Sequence, residues 1–308
     1  MRRAAEALLA LALSCATIAH AAHAQEAARH DVTFILGADL DGAGYFTAAA
    51  AYFRAHARSG EEIVLGQHSL AGVREYLAQP ALHGDAPWGT IRLVAHGSQW
   101  YGLRVPIFDG EAADATLAAM ESASSSGAFP TLGSAQGDAQ TRVVIESCGI
   151  ARRPRLMQAI SALLFNKDIH PVIEASREYV AFRAWTDRGE PHSERVELPY
   201  AALVSTRSIT DASSAADTRK RLRALWSAEA GKSPPDDLVL HEVPVEVRLP
   251  LARAAASGHR SDLKGPLYDL GLRPEQFDWI TQGKQRVGKT HIVTLAPVTV
   301  DWVLAQEP

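Results

Sequence analysis

Two short segments carry the residue types of a nucleophile and its base. IRLVAHGS closes an apolar run on His96-Gly97-Ser98, and RVVIESCGI closes another on Cys148-Gly149. A thiolate is a strong nucleophile that forms near neutral pH. An imidazole can take its proton or hand one to a leaving amine. Gly97 leaves its amide accessible, and with the amide of Cys148 it could form an oxyanion hole. A helix beginning near Pro154 would point its positive end at the thiolate.

Cys148 is one of two cysteines in the 308 residues. The other, Cys15, falls in a segment with the grammar of an export signal. Arg2 and Arg3 form a basic start, Ala7 to Ala19 is apolar, and Ala22-His23-Ala24 is a small-x-small cleavage pattern. The apolar run is short of the roughly 20 residues that span a bilayer. Residues 1–24 are therefore expected to be a signal peptide, which makes the mature protein periplasmic or secreted. A lipoprotein at Cys15 is the alternative, against which Ala12-Leu13-Ser14 lacks the usual leucine three residues upstream. Cleavage after Ala24 leaves Cys148 as the mature chain's one thiol. In an oxidising compartment such a thiol is either a small buried apolar group or a reactive one. The net charge of −4 lacks the clustered basic surface that nucleic acid requires, and no later stretch is long enough to span a membrane.

Strands and helices must bring the pair together. Strands are expected at Asp31–Leu36, Glu62–Leu65, Ile91–Ala95, Arg142–Ile145 and Pro171–Ala175. Helical patterns lie between them at Tyr45–Arg58, Leu70–Leu77, Ala113–Ser122 and Arg155–Phe165, with a loop over Ser122–Gln140. Strands apolar on both faces and separated by helices imply a parallel sheet covered by helices on both sides. The sheet is expected to end near residue 205. A charged helix (Ala215–Ala228), a linker (Gly231–Asp237) and strand-like runs at Leu238–Val247 and His291–Leu295 follow. The domains expected are thus residues 25–210 and a small C-terminal extension, 211–308.

Ligands of open parallel sheets bind beyond the carboxyl ends of the strands, where both His96 and Cys148 fall. Residues two apart on a strand share a face, so Glu146 joins Cys148 in the crevice. Its carboxylate either receives a basic substrate side chain or pairs with a local arginine such as Arg152 or Arg153. Asp39 and Asp41 either orient the histidine and line the pocket or form a turn beside Gly42. Trp100 and Tyr101 either line a groove or pack beneath the loop.

With these residues in place the sequence resembles the clan CD cysteine peptidases, which include caspases, legumains, gingipains and clostripains. LVAHG and VVIESCG, about fifty residues apart, are similar to that group's strand-His-Gly and strand-small-Cys signature, over residues 31–205. The resemblance implies a caspase-like three-layer α/β/α sandwich with a mostly parallel sheet. It also implies peptide-bond hydrolysis by a Cys148 nucleophile with His96 as general acid/base, on peptide or protein substrates and without a cofactor. Glu146 then falls where such enzymes read the residue before the cut, and cleavage after Lys or Arg is expected.

Three rivals remain in view. A non-catalytic binding or scaffold protein could keep the fold. A cysteine α/β-hydrolase would need G-x-C-x-G, where Glu146 and Ile150 stand instead. Gly283 to Thr290 satisfies the phosphate-binding pattern G-x-x-x-x-G-K-[ST], yet Val293-Thr294-Leu295 reads as strand where a helix is required. The histidines show no HxxxH or CxxC spacing for a metal.

Overall fold

The computed structural model describes residues 29–39, 44–236, 238–250 and 272–297. The expected export signal, Cys15 and Asp41 lie outside these residues. Five strands form the central sheet: β1 (Val32–Ile35), β2 (Glu62–Val64), β3 (Thr90–Val94), β6 (Arg142–Glu146) and β7 (Val172–Ala175). They lie in the order β2-β1-β3-β6-β7, and every pair is parallel. A two-stranded ribbon, β4 (Gly97–Ser98) with β5 (Gly102–Leu103), follows β3.

Alternation along the strands decides which layer each face meets. Leu93 and Ile145 point to one side and pack with α2 (Leu70–Leu77), α4 (Leu117–Ser126) and α5 (Pro154–Leu164) through Val73, Met120 and Leu163. Between α2 and α4 runs a single turn, α3 (Pro80–His83). Ile35 and Val94 point to the other side. They meet Phe46, Ala49 and Phe53 of α1 (Tyr45–His56), and Val180 and Phe182 of an antiparallel hairpin, β8 (Tyr179–Asp187) with β9 (Glu190–Leu198). The architecture is a three-layer sandwich on a parallel sheet. Its second outer layer is one helix and a hairpin, not the helices alone that apolar strands suggested.

The hairpin closes through Arg188 and Gly189, both at positive φ (50° and 88°), the two-residue turn whose twist suits antiparallel strands. The sheet ends at Ala175, well before residue 205. β10 (Ala202–Ser205) pairs with β13 (Gln285–Pro297) in a second, antiparallel sheet, ordered β10-β13-β11 with β11 (Leu238–Pro250), while β12 (Asp278–Gln282) also pairs β13. Helix α6 (Ala212–Ala230), capped by the Asp211 carboxylate on the Ser214 amide, lays Leu222 and Trp226 on one face of this sheet.

Two local expectations shift. Helix α4 starts at Leu117, because Ala115 exchanges backbone hydrogen bonds with Leu103 and Thr116 supplies the N-cap for Ala119. Ser122–Ser126 is consequently helix and not loop, ended by the left-handed Gly127. The phosphate-binding pattern is a hairpin: Gly283 turns between β12 and β13, Gln285–Lys289 is strand paired on both sides, and Thr290 continues the strand against β11. Among the described residues no helix is long and apolar enough to cross a membrane.

Candidate active site

Register positions the two chemical residues. Val94 of β3 lies opposite Glu146 of β6, and the Ala95 amide continues the ladder by donating to the Glu146 carbonyl at 3.2 Å. His96 and Cys148 each come two residues later, at matching levels of strands about 4.8 Å apart. Both turn to the face that α1 and β8 cover. The His96 ring lies 4.2 Å from that of Tyr45 and 4.7 Å from that of Phe46, centroid to centroid, and the Cys148 Sγ donates to the Val180 carbonyl at 3.6 Å. Tyr45 in turn meets Phe182, two residues along β8 from Val180, at 5.5 Å.

Gly97 is fixed by close approach. A Cβ there would come within 2.4 Å of Ser147 Oγ and 2.5 Å of the Gly102 carbonyl oxygen. The Arg104 amide donates to the His96 carbonyl at 2.8 Å, which makes Gly97 and Leu103 a pair that exchanges no hydrogen bonds. The Gly97 N–H therefore turns away from β5, the orientation an oxyanion donor needs. After Cys148 the chain reverses at the left-handed Gly149 (φ 64°), whose amide donates to the Glu178 carbonyl. A short 3-10 turn, Ile150–Arg152, then intervenes, so α5 begins six residues past the thiol.

Asp39 caps α1. Its carboxylate accepts from the amides of Phe46 and Thr47, both at 2.8 Å. Burial would raise its pKa, but these bonds, a Thr47 side-chain bond and nearby His96 hold it below the ordinary carboxylate range. The turn reading and the histidine reading of Asp39 thus meet in one arrangement, since the carboxylate fixes the helix turn whose two aromatic rings flank His96. Burial and the Arg104 guanidinium push the imidazole pKa down to about 3, against a partial counter-pull from Asp39. The His96 imidazole is therefore neutral at physiological pH.

Cys148 is 8% exposed and packs with Tyr179 and Tyr200, whose rings stack at 4.3 Å. Burial pushes its thiol up to about 11, a rise that the Val180 backbone only partly offsets. With β8 in this position the thiol is protonated and covered.

Glu146 is buried and engaged. Arg195 of β9 donates Nε to it at 2.7 Å, and Arg92 approaches at 3.9 Å. The local-arginine reading of Glu146 holds in kind, with different partners. Arg152 serves Glu178, Glu229 and the Arg177 carbonyl, and Arg153 reaches the Gln99 carbonyl at 3.4 Å. Trp100 and Tyr101 pack beneath the loop, against Val245 and Ile292 of the C-terminal sheet.

Tyr45, Val180 and Arg195 belong to the site but stood outside the sequence reading. An aromatic pair opening a helix just after β1 was the one available signal for Tyr45. Arg195 had none, because its strand is charged on both faces. A cavity of about 700 Å³ beside Met157, Phe165 and Ile173 shares no residue with this site. Among the described residues no group of three His, Cys, Asp or Glu side chains is placed to hold a metal ion.

The arrangement can present a thiol, a neutral imidazole and an outward amide on one rim once the β8 cover is displaced. No family model, curated protein or solved structure matches this chain.

Proposed function

We propose that this chain is an exported cysteine endopeptidase that hydrolyses peptide bonds through Cys148 and His96. The observation that carries the reading is the β3–β6 register, which brings an imidazole and the thiol to matching levels on one face of a parallel sheet, at its carboxyl edge. His96 takes the Cys148 proton as the sulfur attacks the scissile carbonyl. The oxyanion gathers on the Gly97 and Cys148 amides, and the imidazolium returns the proton to the departing amine. Water activated by neutral His96 then cleaves the thioester and releases the carboxylate product. The basic start, apolar run and small-x-small site of residues 1–24 support export.

A second reading has its own observation. The thiol is covered by β8 and held near pKa 11, as an inert core cysteine would be. The two separate on the reactivity of Cys148. A peptidyl chloromethyl ketone should alkylate it at least about 100-fold faster than iodoacetamide, because peptide binding contributes to the transition state. His96→Ala should remove most of that advantage. Equal, slow rates with both reagents, unchanged by His96→Ala, would show the scaffold protein.

A further inference from the structure

Cys148 and Glu146, neighbours on one face of the rim, are both held by one element. The hairpin's first strand holds the Cys148 thiol through the Val180 carbonyl, and its second places Arg195 on Glu146 at 2.7 Å. We propose that Arg195 is an internal stand-in for the basic side chain of a substrate, and that a Lys or Arg substrate residue displaces it from Glu146 and frees the hairpin from Cys148. The inference rests on the peptidase reading and names its specificity and its regulation.

Four features carry it. Glu146 shares the strand face of Cys148, two residues away, so a side chain bound to it lies beside the thiol. The Arg195 side chain is 25% exposed while Glu146 is 8% exposed, so an incoming cation can reach the pair from the arginine side. Arg195 has a second place to go, because its Nη2 already donates to Glu197 of the same strand at 2.7 Å. The other cation near Glu146 is committed elsewhere: Arg92 donates to Glu61 and Thr33 at 2.7 and 3.0 Å and meets Glu146 only at 3.9 Å. A guanidinium-for-guanidinium exchange keeps the buried carboxylate paired throughout, which avoids the cost of an uncompensated charge.

Specificity and closure thereby share one contact. A peptide lacking a basic residue leaves Arg195 in place and the thiol covered. A peptide that brings one substitutes for Arg195 and uncovers the nucleophile it is about to meet.

The test reads thiol access and needs no turnover. Iodoacetamide alkylation of Cys148 is followed by mass spectrometry in the whole chain, with and without argininamide. Arg195→Met should label at least about tenfold faster than wild type, the scale of a lost charge-assisted hydrogen bond. Argininamide should accelerate wild type and leave Arg195→Met unchanged, whereas asparaginamide should do neither. Arg142→Met, which removes the exposed Arg142–Glu174 pair between β6 and β7, serves as the control for general loosening and should label like wild type. Hydrogen exchange should show the opening confined to β8 and β9. Labelling of Arg195→Met at the wild-type rate, or no response of wild type to argininamide, overturns the inference. If Arg195→Met opens the thiol and argininamide accelerates wild type, but no peptide is cleaved, the displacement stands and the peptidase reading falls.

Discussion

At the residue scale, the chemistry of His96 and Cys148 is governed by burial. An imidazole held near pKa 3 stays neutral while the unfolded chain's histidine, near 6.5, takes up a proton. Between those values the unfolded state binds more protons, so stability falls as pH drops below about 6.5. One such group contributes at most about 1.4 kcal/mol per pH unit. Chemical denaturation at pH 7 and pH 5 should show a smaller difference in His96→Phe than in wild type. An unchanged difference would mean that the imidazole is not held neutral. The Tyr45 hydroxyl is sealed from water without a hydrogen-bond partner, so Tyr45→Phe should stabilise the fold by about 1 kcal/mol. A loss of stability would reveal a partner for that hydroxyl. The residue types and their spacing were legible in sequence, because strand ends and glycines announce themselves locally. Burial of the thiol was not, since it depends on Val180 and Tyr200, 32 and 52 positions away, whose approach no local pattern encodes.

At the scale of elements, the strands that carry the site could be read from uninterrupted apolar runs, and α2 from the helical spacing of Leu70–Leu77. The β8–β9 hairpin could not. Its outer half is charged on one face and has only Ala184, Thr186, Pro191 and Ser193 on the other, so no apolar alternation marks it, and its turn is Arg188-Gly189, without the Asn or Asp that marks most such turns. β10 had no expected strand, only the expected end of the sheet near residue 205, because a short apolar run does not show which sheet it will join. Its partner, β13, is some ninety residues later in the chain. Asp39 ties α1 to the site, and Asp39→Ala should cost about 0.5–2 kcal/mol by leaving the Phe46 and Thr47 amides without their acceptor. The same variant should broaden the NMR signals of the His96 ring, whose aromatic flanks sit on that first turn. A stability change with no effect on those signals would separate the cap from the histidine.

At the scale of the molecule, the C-terminal sheet is built into the site's surroundings. Trp100 and Tyr101, just past His96-Gly97, pack on its inner face, and α6 closes its outer face with Trp226. Trp226→Ala should destabilise by about 3–5 kcal/mol, and a single unfolding transition would show that the two sheets unfold as one. Two separate transitions would mean that the C-terminal sheet stands apart. Central to the whole account is that Cys148 and His96 cleave peptide bonds, and new N-termini released from an unfolded protein substrate, identified by mass spectrometry, measure that most directly. Wild type should generate them after Lys and Arg, Arg195→Met at a rate at least equal, and Cys148→Ala and His96→Ala about a thousandfold more slowly or not at all. Cleavage that persists in Cys148→Ala, or its absence from wild type and Arg195→Met alike, would contradict it.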